Sequence, residues 1–367
     1  MTALLTARPT RESLRICLLA NSRFPIAEPF TGGLESMTWH LARELMRRGH
    51  EVAVFAARGS DPALGVVELE VDALHEHPGR HDVDAPPYVE VAEHHAYLSV
   101  MLELSGRAGR GYDVVHNNSL HYLPVAMARS LPMPLLTTLH TPPLWWLESA
   151  VRLDGGASSF AAVSRFTAQS WSSIAESVCV PNGIDVAGWP AGPGGHAAVW
   201  SGRLVAEKAP HHAVHAARRA GVPIVLAGPV LDVDYFRAEI EPLLGSDATY
   251  AGHLQQADLA TLVGASAVAV VTPAWDEPYG LVAAEALSCG TPVAAYARGG
   301  LPEVLTHDTG RLAASGDVDA LARAIGEAVG LDRSRCRERA VADLSLERMV
   351  DSYEGLYRQM VHSRLAA

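Results

Sequence analysis

Two successive series of short apolar segments run along this chain, and each series alternates with segments of helical periodicity. The first series occupies residues 14–20, 51–55, 112–116, 134–139 and 159–163. The second series occupies residues 197–201, 223–226, 249–251, 267–271 and 292–296. Short continuous apolar runs are typical of strands buried on both faces of a parallel sheet. Their alternation with helices predicts an α/β fold with two doubly wound parallel sheets.

A run rich in glycine and proline separates the two series. Three glycines and two prolines fall within residues 190–195, a composition that does not support regular structure. We place the interdomain linker at residues 188–195 and predict domains over residues 1–188 and 196–344. The expected helices of the second domain occupy residues 208–220, 232–244, 256–264, 280–289, 301–305 and 317–329. A last helix, within residues 345–367, carries its apolar residues on one face.

Composition excludes several classes of function. The net charge of −12 argues against non-specific binding of nucleic acid. The chain has no uninterrupted apolar run of about 18 residues and no basic amphipathic helix, so stable membrane attachment is not expected. Residues 1–15 lack the apolar core of a signal peptide and are expected to be a disordered lead-in. The four cysteines form no CxxC pair and are expected to be buried thiols in a reducing cytoplasm.

Two carboxylates lie eight positions apart around a Pro-Tyr-Gly turn, at Glu277 and Glu285. The apolar strand 267–271 precedes this turn, and the predicted helix 280–289 follows it. The free N–H groups at the start of that helix suit an anionic phosphate, which the helix dipole favours. Glu285, one turn further along, can accept hydrogen bonds from vicinal hydroxyls. A phosphate with a polyol on each side describes a nucleotide sugar.

Other residues with phosphate or sugar chemistry follow predicted strands. Gly32 and Gly33 allow a close approach of the backbone to a phosphate, although a plain strand-to-helix turn would also use them. Arg203 and Lys208 can neutralise a diphosphate, or they are solvated surface charges. His140 ends a strand where parallel sheets bind ligands, or it is a structural histidine, and His116 leaves the same two alternatives open.

The spacing of the two carboxylates resembles the Glu-x7-Glu motif of retaining GT-B glycosyltransferases of the large GT4 family. The resemblance covers nearly the whole chain, and its motifs follow the family's order. They are Gly32-Gly33, His140, Val180-Pro-Asn-Gly-Ile-Asp185, Ser201-Gly-Arg-Leu-Val-Ala-Glu-Lys208, Ala251-Gly-His-Leu254 and Glu277-Pro-Tyr-Gly-Leu-Val-Ala-Ala-Glu285.

The resemblance implies two Rossmann-like domains that face each other across a cleft. The first domain would bind the acceptor, the second would bind the nucleotide sugar, and the C-terminal helix would pack back on the first. The implied catalytic residues are His140, Glu277, Arg203 and Lys208. The implied donor-binding residues are Gly33, Leu254, Tyr279, Gly280, Leu281, Val282 and Glu285. The expected reaction transfers a hexosyl group from a UDP-sugar to a small soluble acceptor, with retention and without a metal or cofactor.

Alternatives remain open at this stage. The chain could be a GT-B sugar phosphorylase, a nucleotide-sugar epimerase or a non-catalytic subunit that binds a nucleotide sugar. Glu277 is either an electrostatic stabiliser or a nucleophile, and a homodimer is an open alternative to a monomer.

Several further features have competing readings. Trp145 and Trp146 either stack on an acceptor or are core or rim residues beside the cleft. The three Asp-x-Asp sequences, at residues 82–84, 232–234 and 317–319, are interpreted as chance matches to a metal-binding signature. The histidines within residues 75–95 are interpreted as an exposed loop and helix start rather than a zinc site.

Overall fold

A computed structural model of the protein describes residues 13–72, 74 and 86–365. Almost all of the expected lead-in, residues 1–12, lies outside this range. The described part of the chain forms two parallel sheets, one of seven strands and one of six, each flanked by helices. The predicted α/β fold of two doubly wound domains is therefore confirmed.

The first sheet has the strand order β3-β2-β1-β4-β5-β6-β7, and all neighbouring strands are parallel. Its elements, in chain order, are β1 (Arg15–Leu19), α1 (Gly33–Arg47), β2 (Glu51–Ala56), β3 (Val66–Glu68), α2 (Tyr88–Ser105), β4 (Val114–Asn117), α3 (Leu123–Ala126), β5 (Leu135–Leu139), α4 (Trp145–Leu153), β6 (Ser158–Ala162), α5 (Arg165–Trp171) and β7 (Val178–Cys179). The order in which successive strands are added to the sheet reverses between β1 and β4, which opens a crevice outside their carboxyl ends.

The second sheet has the order β10-β9-β8-β11-β12-β13, again all parallel. Its elements are β8 (Ala198–Ser201), α6 (Pro210–Ala220), β9 (Ile224–Ala227), α7 (Val233–Tyr235), β10 (Ala248–Tyr250), α8 (Gln256–Gly264), β11 (Val268–Val271), α9 (Leu281–Ser288), β12 (Val293–Tyr296), α10 (Leu301–Val304), β13 (Gly310–Ala313), α11 (Val318–Ala328) and α12 (Arg333–Asp343). The corresponding crevice opens between β8 and β11 and faces that of the first sheet.

Secondary structure departs from prediction in the second domain. The predicted helix 232–244 is a short α7 followed by a π turn over Phe236–Ile240 and a 3-10 turn over Glu241–Leu243. Pro242 lacks the N–H that an α-helix needs at this point, which explains the change of hydrogen bonding. Helix α12 was not predicted from the sequence, because it buries few apolar residues, among them Cys336 and Ala340, and so shows little apolar periodicity.

The last helix, α13 (Leu346–Leu365), packs against α1 in the core of the first domain. Tyr353 and Tyr357 are fully buried there, and the Tyr357 hydroxyl lies 2.7 Å from Nδ1 of His116. A buried hydrogen bond adds to this contact, with His50 Nε2 3.0 Å from Glu354 Oε1. The C-terminal helix thus belongs to the first domain. None of the helices in the described residues is both long and apolar enough to cross a membrane.

The chain crosses between the domains at two neighbouring points. Ile184 donates its N–H to the carbonyl of Leu344 at 2.9 Å, and its own carbonyl accepts from Leu346 N–H at 2.8 Å. The glycine-rich run that follows is bound to the second domain, since Gly192 N–H donates to Cys289 and Gly194 N–H to Gly264. The first crossing therefore lies a few residues upstream of the predicted linker.

Candidate active site

The carboxyl edges of the two sheets enclose a cavity of about 500 Å³. Residues from both domains line it, and every site residue predicted from the sequence is among them. They are Gly33 and His140 from the first domain, and Arg203, Lys208, Leu254, Glu277, Tyr279, Gly280, Leu281, Val282 and Glu285 from the second. The structure therefore brings these residues together, while their individual roles stay predictions.

The acidic loop between β11 and α9 owes its shape to glycines. Gly280, which precedes α9, has a φ of 104°, a value that favours glycine. Gly299 also has a positive φ, and a Cβ there would lie 2.0 Å from the carbonyl oxygen of Glu277. Gly300 N–H donates to the same carbonyl at 2.7 Å. The sequence analysis overlooked this Gly-Gly pair, although it follows strand β12 much as Gly32-Gly33 follows β1.

Lys208 and Glu277 form an ion pair within the cavity. Lys208 Nζ lies 2.5 Å from Oε2 of Glu277, and it also lies 5.0 Å from the centroid of the Trp275 ring. Thr272 fixes the backbone here, since its hydroxyl donates to the carbonyl of Lys208 at 2.9 Å. The Lys208 ammonium group thus lies between a carboxylate and an aromatic face. The sequence analysis missed its contact with Trp275.

Arg203 occupies the turn that leaves β8. One of its guanidinium nitrogens lies 3.0 Å from Oε1 of Glu207, and both side chains are partly exposed. Gly202 and Gly228 pack backbone to backbone beside it, where a Cβ on Gly228 would lie 1.8 Å from the Gly202 carbonyl oxygen. Both glycines line the cavity together with Arg203.

The start of α9 presents backbone donors and one carboxylate to the cavity. The N–H groups of Leu281 and Val282 precede the first intrahelical hydrogen bonds, which begin at Ala283. Desolvation raises the pKa of Glu285 to about 7, and its carboxylate forms no ion pair within the described residues. These groups can bind an anion and, beside it, a pair of hydroxyls.

His140 lies at the end of β5 and is almost fully buried. Its Nε2 lies 3.0 Å from Oδ1 of Asn118. With the amide in this orientation, the contact is a hydrogen bond when Nε2 carries the proton, and Nδ1 is then the acceptor. Burial lowers the pKa of His140 to about 3, which keeps the ring neutral. His116, in contrast, is enclosed in the core between Tyr357 and Thr138, so its structural alternative is the correct one.

The first-domain wall approaches the second domain closely at Gly33. A Cβ on Gly33 would lie 2.8 Å from Leu281 Cδ1. Glu35, two residues further along α1, also lines the cavity and is only 4% exposed. The sequence analysis missed Glu35, although its place in the first turn after a Gly-Gly pair was a usable signal.

The aromatic residues near the cavity divide into lining and outer positions. Trp146 lines the cavity and donates its Nε1–H to the carbonyl of Leu120 at 2.9 Å. Trp145 is 87% exposed and does not line it. His121 stacks between Tyr97 and Tyr122 and is likewise not part of the lining.

The Asp-x-Asp sequences within the described residues are helix caps. Asp232 accepts a hydrogen bond from the Tyr235 N–H, and Asp317 accepts one from the Ala320 N–H. The third, at residues 82–84, lies outside the described residues, as do the histidines at 75, 77 and 81. The part of the chain that the structure describes contains no group of three potential metal ligands.

Direct contacts also join the two domains beside the cavity. His253 Nε2 lies 3.0 Å from the carbonyl oxygen of Phe30, and His40 Nε2 lies 3.2 Å from Oε1 of Gln256. Glu28 accepts a hydrogen bond from the Gln256 N–H at 3.3 Å. The structure thus shows the two domains in contact along the α1 side of the cleft.

Two facing Rossmann-like domains with a phosphate- and sugar-compatible cavity between them define the GT-B class of glycosyltransferases. Solved structures of this class have the same fold. Anabaena HepE, in complex with UDP and glucose, superposes with a TM-score of 0.71 at 19% identity, covering 94% of this chain and 100% of that one. Sucrose-phosphate synthase from Thermosynechococcus elongatus gives a TM-score of 0.76 at 20% identity, covering 95% and 100%.

Two family models match this chain in succession. Residues 31–187 match Glycosyltransferase Family 4, and residues 193–342 match Glycosyl transferases group 1. The chain therefore belongs to the glycosyltransferases of this GT4 type. Glycogen synthase of Mycobacterium tuberculosis is 29% identical over 350 residues, which cover 80% of this chain and 81% of that protein. D-inositol 3-phosphate glycosyltransferase of Kineococcus radiotolerans is also 29% identical, with 80% of each chain covered.

Proposed function

We propose that this glycosyltransferase moves a hexosyl group from a UDP-sugar to a hydroxyl group of a small soluble acceptor, with retention of the anomeric configuration. The observation that carries the proposal is the convergence of two cations, free helix N–H groups and two carboxylates in one cavity. A UDP-sugar is favoured because the fold neighbour HepE is complexed with UDP and glucose.

The donor diphosphate would lie between Arg203, Lys208 and the start of α9. Each cation is already paired with a carboxylate of its own domain, so the diphosphate would compete for charges that are held in place. Positioned cations stabilise the negative charge that develops on a leaving diphosphate. This arrangement would supply the electrostatic stabilisation that a metal ion supplies in other enzymes.

The hexosyl group would lie between Glu277 and His140. Glu277 would hold a sugar hydroxyl and stabilise positive charge on the ring, while the neutral His140 would accept a hydrogen bond at Nδ1. The acceptor hydroxyl would attack from the face that the diphosphate leaves, and the diphosphate would take its proton. The wall that carries Gly33 would close over the donor.

The experiment begins with a thermal-shift screen of UDP, GDP, ADP and dTDP sugars. We expect the largest shift with a UDP-sugar and slow release of UDP when the purified chain is incubated with it. Arg203→Ala and Lys208→Ala should each lower the rate by orders of magnitude, and EDTA should leave it unchanged. Binding without any turnover would instead identify a non-catalytic nucleotide-sugar-binding protein.

The anomeric configuration of the product tests retention. The proton coupling of the new glycosidic bond, measured by NMR, should match that of an α-linked donor. A β-linked product would contradict the proposal. It would also make Glu35, a carboxylate on the acceptor wall, the candidate general base.

A further inference from the structure

One carboxylate on the first-domain wall of the cavity has no cation paired with it. Glu35 is buried, and its best side-chain contact is a long one, 3.5 Å from Nδ2 of Asn21. It forms no ion pair within the described residues. Desolvation raises its pKa, and three weaker effects act against this rise: a hydrogen bond from its own backbone N–H, the Asn21 contact and, last, the charge of Arg203 on the opposite domain. Arg203 is held by Glu207, however, and is proposed to bind the diphosphate.

The other charges on this wall are already compensated. Arg23 lines the cavity, but both its Nε and Nη2 atoms bind Glu93, at 2.8 Å and 3.3 Å. His140 is neutral, because burial lowers its pKa. Among the described residues of this wall, Glu35 is therefore the charged side chain that has no ion-pair partner, and its charge is negative.

A buried carboxylate without an ion-pair partner is costly, and a cation supplied by a ligand offsets that cost. The rest of the wall suits an organic cation. Phe24, Phe30 and Trp146 line the cavity from the same domain, and aromatic faces attract ammonium groups. A phosphate group would meet the carboxylate with like charge and would find no unpaired cation on this wall.

We propose that the acceptor carries a protonated amine that binds Glu35, so that this enzyme glycosylates amino-bearing polyols in preference to neutral or phosphorylated ones. This inference rests on the proposed function, since it assigns the acceptor to the first-domain wall. Glu35 is its specificity-determining residue, distinct from the residues that hold the donor.

Matched pairs of acceptors test the proposal. Glucosamine is compared with glucose, 2-deoxystreptamine with myo-inositol, and myo-inositol 3-phosphate is added as the anionic member. Each is incubated with the full chain and the nucleotide sugar that gives the largest thermal shift, and the release of nucleoside diphosphate is measured. We expect at least one amine to accelerate release tenfold or more over its neutral partner. The proposal would be overturned if the neutral or phosphorylated compounds gave the faster release of nucleoside diphosphate, or if no amine accelerated it.

Two variants of Glu35 assign the preference to its charge. Glu35→Gln keeps the shape but should reduce the amine advantage to less than twofold, whereas Glu35→Asp should retain most of it. Glu28→Gln is the matched control, because Glu28 is a nearby acid that contacts Gln256 and does not line the cavity. An unchanged amine advantage in Glu35→Gln, or its loss in Glu28→Gln, would refute the role of Glu35.

The same assay separates this inference from the proposed function. If the wild-type chain neither binds a nucleotide sugar nor releases the nucleoside diphosphate from it, the proposed function fails. If it does both and shows no preference for amines, only the acceptor class is wrong.

Discussion

At the scale of single residues, the two walls of the cleft differ in how their charges are satisfied. On the second domain, Arg203 and Lys208 each have a carboxylate partner within 3.0 Å. Glu285, on the same wall, forms no ion pair with any of the described residues. The sequence predicts these residues because they stand in motifs that resemble those of the GT4 family. It does not predict their pairing, which depends on how the turns after different strands meet.

Glu285 should make nucleotide binding depend on pH. Its pKa is raised to about 7 by desolvation, and hydrogen bonds from a ribose would favour the ionised form. Binding below pH 7 therefore has to release a proton, so the affinity for UDP should increase from pH 6 to pH 8 and then level off. Calorimetric titration measures this. Glu285→Gln should bind more weakly at pH 8 and lose this part of the pH dependence. A dependence identical to the wild type would exclude Glu285 as its source.

Asn118 should act as a positioning residue for His140. The 3.0 Å hydrogen bond from His140 Nε2 fixes the tautomer with an unprotonated Nδ1. Asn118→Ala should release this tautomer and lower kcat about tenfold, while Asn118→Asp keeps an acceptor oxygen and should recover much of the loss. Nitrogen-15 NMR of the imidazole ring reports the tautomer directly. If Asn118→Ala leaves both the tautomer and kcat unchanged, His140 does not depend on this contact.

At the scale of elements, the turns that follow the strands determine the geometry of the site more than the strands themselves do. The predicted strands and most predicted helices are present because their apolar periodicity is strong. Strands β3, β7 and β13 and helix α12 were missed, since short or highly charged elements leave a weak pattern. The contact of Gly299 with Glu277 could not be predicted, because it joins two turns that follow different strands.

The contact between α1 and α8 should hold the domains together before the donor binds. His40 Nε2 lies 3.2 Å from Gln256 Oε1, a side-chain hydrogen bond that joins the two helices. Gln256→Ala should raise the donor KM about fivefold, as expected for the loss of about one hydrogen bond, with kcat little changed. Small-angle X-ray scattering should show a larger radius of gyration for the free variant.

Gln255 supplies the control for this experiment. It is an exposed neighbour, and its side chain does not cap the helix. Gln255→Ala should leave both the KM and the scattering profile unchanged. Equal effects of the two substitutions would show that the link between α1 and α8 is not responsible.

At the scale of the whole molecule, the two crossings between the domains lie side by side and are hydrogen bonded to each other. Gly183 belongs to the first crossing, and a Cβ there would be 2.4 Å from the carbonyl oxygen of Ser345 in the second. The sequence marks this region through Pro181-Asn-Gly-Ile-Asp185, but it gives no sign that the start of α13 is the neighbour. Contacts between segments so far apart in the chain depend on the completed fold.

Gly183→Ala should therefore destabilise the junction. The added methyl group meets backbone atoms that cannot rotate away, and overpacking of this kind costs about 1–3 kcal/mol. The midpoint of thermal unfolding should fall by a few degrees. Gly355→Ala is the opposite control, because its Cβ would meet nothing within 4 Å on the exposed side of α13. It should raise the midpoint slightly, since alanine is the better helix former. A fall in both variants would contradict the argument.

The paired crossings also restrict how the cleft can open. A single connecting strand would let one domain swivel and twist against the other. Two chain segments that are hydrogen bonded through Ile184, Leu344 and Leu346 bend together about a common axis and resist torsion around it. Opening then has one principal degree of freedom. Each cycle of opening and closure would therefore return Gly33 to the same position above Leu281. The alignment of the two walls is then determined by the hinge and not by each new substrate.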